Sequence, residues 1–144
     1  MTLGQSLTKK IRGLKSLQRS LPVLVGETAK NFFQDSFRNQ GFTDSGLKKW
    51  KKRKGNTDPG RGVLIGKANG SNTLRNSIRV KTATMKKILI TSDLKYSAVH
   101  NYGLRTGRGK GFTMPKRQFM KKKKKLDGII VKLIKNKVNE IMKP

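Results

Sequence analysis

Residues 88–120 read ILITSDLKYSAVHNYGLRTGRGKGFTMPKRQFM, and this stretch decides the fold. Ile88, Leu89 and Ile90 form an apolar, mostly β-branched run ending at Thr91 and Ser92, which predicts a strand. Ser92 or Asp93 is placed to cap a short helix carrying Tyr96, Val99, His100 and Tyr102 at spacings of three and four. Gly103 stands where a left-handed residue ends such a helix. Residues 106–111 (TGRGKG) hold three glycines and no apolar side chain, so they predict a mobile loop, after which MPKRQFM resumes order.

Working outward, Ile78 and Val80 alternate with Ser77, Arg79 and Lys81, and Lys86-Lys87 precede the returning strand, so residues 76–91 predict a hairpin with one wet face. Leu126, Ile129, Ile130, Leu133, Ile134, Val138 and Ile141 give the cleanest helical periodicity in the chain, just after the lysine run 121–125. At the other end Leu3, Leu7, Ile11, Leu14, Leu17 and Leu21 make an apolar stripe on a basic helix. Pro22 predicts a break near Ser20, followed by a second helix with Val25, Ala29, Phe32, Phe33 and Phe37. The expectation is one α+β domain, a small antiparallel sheet packed by N-terminal amphipathic helices and a C-terminal helix, with long basic loops. Its parts are N-terminal helices over 1–40, a basic glycine-rich loop over 41–73, the sheet and short helix over 74–120 and a final helix over 121–144. Ile78, Val80, Ile88, Ile90, Phe32 and Leu133 are the expected buried residues.

Two basic segments are candidate contacts for a partner or for DNA. In the first, Lys51, Lys52 and Arg53 belong to a cationic run around Trp50, which either stacks on a base or tucks into the edge of the core. The second carries Arg105, Arg108, Lys110, Lys116 and Arg117, with Pro115 and Phe119 as its fixed end and Arg117 free to pair with an acidic group.

The motifs in order are Trp50 with Arg53, then Leu74-Arg75-Asn76-Ser77-Ile78, then Tyr96, Ala98, His100 and Gly103, and finally Pro115, Arg117 and Phe119. In this order and approximate spacing, residues 32–120 resemble the phage virion morphogenesis proteins, the Mu-type tail-completion proteins of long-tailed phages. Ser97 stands between Tyr96 and Ala98, where the family often has the pair adjacent. The resemblance implies a non-enzymatic structural protein, an oligomeric ring at the neck or top of the tail. Its implied partners are copies of itself, other head-tail joining and tail proteins, and the backbone of viral DNA. It would be found in the virion, and in the host cytoplasm during assembly.

Composition bounds the remaining possibilities. Lys and Arg number 35 against 7 Asp and Glu, a net charge of +28 over 144 residues, which calls for an anionic neighbour. That charge also suits the alternative reading, a basic nucleic-acid-binding protein of ribosomal or chromatin type without sequence preference. There is no Cys, and one His with so few acids leaves little material for a metal or cofactor site. No apolar run is long enough for a membrane span. Gly66-Lys67 and Gly109-Lys110 invite a phosphate-loop reading, but the required earlier glycine is Arg61 or Leu104 and the required hydroxyl is Ala68 or Gly111. His100 is the lone candidate base and has no nucleophile or orienting carboxylate beside it in sequence, so no catalytic residue is expected.

Overall fold

The computed structural model describes residues 2–55, 60–66 and 73–143. It is α+β: helix α1 (Leu3–Arg38), strands β1 (Gly41–Thr43) and β2 (Leu47–Lys49), helix α2 (Thr73–Asn76) and strands β3 (Ile78–Ala83) and β4 (Ile88–Ser92) come first. Helix α3 (Ser97–Tyr102), strands β5 (Arg105–Thr106) and β6 (Phe112–Thr113) and helix α4 (Lys124–Met142) follow. The strands form three separate antiparallel pairs, β1 with β2, β3 with β4 and β5 with β6. Helix α1 lies against β3 and β4, and α4 lies along α1.

The expected break near Ser20 does not occur, and α1 runs through Pro22 without interruption. A proline inside a helix removes one backbone hydrogen bond, a loss of about 3 kcal/mol. Here its ring is buried on the stripe Pro22, Gly26, Ala29, Phe33 and Phe37 that faces the rest of the molecule, and that packing holds the helix together. Gly26 lets the sheet approach, since a Cβ there would stand 2.9 Å from Cγ1 of Val80. In the β3–β4 pair Ile78 faces Ser92 and Val80 faces Ile90, with the register shifting between Val80 and Thr82.

The core gathers where the end of α1 meets β1, Trp50 and Phe119. Phe37 packs edge-on against Trp50 at 5.3 Å between ring centroids and against Phe119 at 5.2 Å. Phe119 is wholly buried, as are Ile78, Leu74 and Phe42 within a few per cent. Of the residues expected in the core, Ile78 is buried, whereas Phe32, Val80, Ile88, Ile90 and Leu133 are half-buried. A two-stranded sheet covered on one face by a single helix cannot enclose both ends of its apolar side chains, so the aromatic knot takes the centre instead.

Other expectations are corrected. The irregular stretch expected after residue 41 opens as the β1–β2 hairpin, and the part of that loop over 56–59 and 67–72, with Lys67, Pro59 and Gly70, lies outside the described residues. Neither Ser92 nor Asp93 caps α3: the Ser92 hydroxyl meets that of Ser77 at 2.6 Å, Asp93 pairs with Arg79 at 3.3 Å, and the N-cap position is Tyr96. The segment 106–111 is a loop as expected, and it forms the turn of the β5–β6 hairpin, with Gly107, Gly109 and Gly111 all in left-handed conformations that let the tip turn. Gly103 ends α3 as expected, at φ 71°.

Candidate polyanion-binding cleft

The two basic segments read separately in the sequence converge in space. The indole N–H of Trp50 donates to the Gln118 carbonyl at 2.8 Å, and Arg117 Nε donates to the Lys51 carbonyl at 3.1 Å. The Arg117 backbone N–H donates to the His100 carbonyl at 2.8 Å. The first two bonds staple residues 50–51 to residues 117–118. Between them opens a cleft of about 720 Å³, lined by Lys51, Lys52, Arg53, Lys54, Phe112 and Arg117, with His100 in its wall and no carboxylate among the described lining residues.

Trp50 and Arg117 therefore serve the fold. Trp50 is 7% exposed and cannot stack on a base. Arg117, expected to be free for an acidic partner, is buried, and its backbone-bonded guanidinium fixes the cleft wall. Burial, and then Arg53, lower its pKa from the ordinary value, but an arginine still keeps its charge there. Arg53 is half-committed: its Nη2 donates to the carbonyls of Gly62 at 3.1 Å and Ile65 at 2.9 Å. Lys51, Lys52 and Lys54 remain exposed and free to meet an anion.

Arg105, Arg108 and Lys110 sit on the β5–β6 hairpin outside the cleft lining. All three are exposed, and Arg105 Nη2 donates to the Lys110 carbonyl, which closes the tip. Lys116 is exposed beside Gly103, where its own Cβ would lie 2.9 Å from any Cβ added to that glycine. The aromatic that does offer itself is Phe112, 57% exposed in the cleft wall with its ring against Gly107. Sequence reasoning passed over it because it looked for an aromatic flanked by cations along the chain, and Phe112 acquires Lys51 and Lys52 as neighbours only through the fold.

A second cationic surface lies at residues 121–125, grouped around Asp44 and Ser45. Lys123 Nζ bonds Asp44 at 2.7 Å, and that bond, with the surrounding lysines, holds the carboxyl below its usual 3.8. Among the described residues the other four lysines of this run have no such acid. A larger groove, of about 730 Å³, runs between β4, α3 and α4 over Val25, Ile90, Leu94, Met120 and Ile130. It is apolar, and the amide of Asn101 in its wall is already spent: Oδ1 accepts from the N–H groups of Phe119 and Met120, both at 2.9 Å, and Nδ2 donates to the Met120 carbonyl at 3.0 Å.

His100 has a buried Nδ1 without a hydrogen-bond partner, so no carboxylate orients that nitrogen as a catalytic base requires. Among the described residues, no three of His, Asp and Glu come together as metal ligands, and no helix is long and apolar enough to cross a membrane. What the arrangement offers chemically is fixed positive charge beside one exposed ring. Compared with protein families, with curated proteins and with solved structures, the chain matches none.

Proposed function

We propose that this chain is a structural component of a tailed-phage virion, a tail-completion or neck protein that works as an oligomeric ring at the head-tail joint and carries out no catalysis. The observation that supports it most is where the motif residues lie. Leu74, Ile78, Trp50, Arg117 and Phe119, scattered in sequence, are all buried, and Gly103 takes the left-handed turn that brings Lys116 alongside. Part of the set that carries the resemblance thus builds the core, while Asn76, Tyr96 and Ala98 of the same set are exposed. In this reading the cleft lysines and the run 121–125 rest against DNA phosphates or acidic neighbours, holding position without reading sequence.

The test is assembly. The purified chain should form rings in electron micrographs and should be needed for heads to join tails in a reconstituted mixture; single copies, with joining unaffected by their removal, overturn the reading. The net charge of +28 favours a second reading, a basic protein of ribosomal or chromatin type. Co-sedimentation with ribosomes or bulk nucleic acid, without any effect on particle joining, would decide for it.

A further inference from the structure

The start of α1 is built as a helix whose leucines the described residues leave exposed. Thr2 and Gln5 form a reciprocal cap, Gln5 N–H donating to Thr2 Oγ1 at 3.3 Å and Thr2 N–H to Gln5 Oε1 at 2.9 Å, so the first turn is fixed locally. Helix α4 runs antiparallel along α1 and meets it at Gly13, where Ile141 fills the space of the missing side chain, 2.8 Å from a Cβ built there. Since α4 ends at Met142, the turns before Gly13 project past it by about 15 Å at 1.5 Å per residue.

The projecting turns are apolar along one line. Leu7, Leu14 and Leu21 repeat every seven residues and so do Leu3, Lys10, Leu17 and Leu24, and the two series together make a single helix-pairing seam. Leu17, Leu21 and Leu24 are half-buried, but Leu3 is 89% and Leu7 59% exposed, and Ile11 and Leu14 are exposed beside them. A helix end made only for solvent needs no leucine at these places.

Three features say what covers it. The open turns continue a seam on which α4 already packs, so the vacant place has the shape of a helix. Lys10 sits on the seam between Leu7 and Leu14, where a membrane-facing stripe would be apolar and where a paired helix can present a carboxylate. Lys9, Arg12 and Lys15 flank it, and the first acid in the chain is Glu27. A second copy has little anionic surface to match: among the described residues Glu27, Asp35, Asp44, Asp93 and Glu140 are each already paired with a cation, which leaves Asp127 alone. We propose that the N-terminal turns of α1, from Leu3 to Leu14, dock an acidic amphipathic helix of a different protein, which takes up the seam where α4 leaves off. This goes beyond the proposed function and does not depend on the cleft.

The probe is a labelled synthetic helix with Leu at both seam positions and Glu on the flanks, titrated with the full chain by fluorescence anisotropy. Three comparisons accompany it: the same helix with Lys flanks, a leucine-free polyglutamate of equal length, and vesicles of phosphatidylglycerol. The acidic helix should bind about tenfold or more tightly than the Lys version and the polyglutamate. Leu3→Ser with Leu7→Ser should abolish that preference at unchanged thermal stability, and Lys51→Ser with Lys52→Ser should leave it intact. Equal binding of polyglutamate would reduce the effect to bulk charge. That result, failure of the acidic helix to bind, tighter binding to vesicles, or a self-association removed by the Leu3 and Leu7 substitutions would each overturn the proposal.

Discussion

A few buried polar side chains hold the molecule's long-range connections, and Asn101 is the clearest case. Its amide closes three hydrogen bonds to the backbone of Phe119 and Met120, so Asn101→Ala leaves two N–H groups and a carbonyl without partners next to the core. The expected loss is about 3 kcal/mol, read as a lower midpoint in urea unfolding; a shift under about 1 kcal/mol would mean that water replaces the amide. Neither Asn101 nor the inward turn of Arg117 was legible in the sequence, because their partners are backbone atoms of distant residues and leave no mark on the identity of those residues. His100 adds a pH dependence. Burial, and then Arg117, hold its imidazole below the usual 6.5, so the folded chain binds that proton less readily than the unfolded one. Stability present above pH 6.5 is therefore lost as pH falls through that value toward the lower folded pKa. Thermal melts at pH 7.5 and 5.5 should show this drop in the wild type and a smaller one in His100→Gln; equal drops would assign it to other groups.

At the scale of elements, what could be read in advance tracks length and periodicity. The β3–β4 hairpin, the turn at Gly103 and α4 announce themselves through alternation, a glycine at the stop position and a long apolar stripe. Strands of two or three residues, such as β1, β2, β5 and β6, have too few positions to show a period, and tertiary contacts alone define them. The uninterrupted α1 was misread for a different reason. A proline is a reliable local breaker, but a helix of 36 residues whose C-terminal half is packed into the core can absorb one poor position. It follows that Pro22→Ala should stabilise the protein. The restored N–H can bond the Gln18 carbonyl and removes a ring clash, an effect of up to about 3 kcal/mol, against roughly 1 kcal/mol of lost apolar burial. A net gain of about 1 to 2 kcal/mol should appear as a raised urea midpoint. A lowered midpoint would mean that the proline ring is itself a packing piece that the α1 interface requires.

For the molecule as a whole, the excess of positive charge acts in opposite directions on folding and on binding. Almost every described acid is paired with a cation, so most of the 35 basic side chains face one another through solvent and repel. Salt screens that repulsion, the Debye length falling from about 10 Å at 0.1 M to about 3 Å at 1 M, and the melting temperature should rise over this range. The same salt should weaken binding to duplex DNA, because affinity gained by releasing counterions falls with a logarithmic slope of about −0.9 per phosphate contacted. Replacing Lys51 and Lys52 with Ser should then lower the steepness of that slope by about 2 and leave sequence preference absent, while raising the melting temperature at low salt by relieving repulsion across the cleft. If the slope is unchanged while the melting temperature rises, the cleft lysines are charged neighbours that DNA does not touch. The anion that the net charge demands would then have to be met at the lysine run beside Asp44.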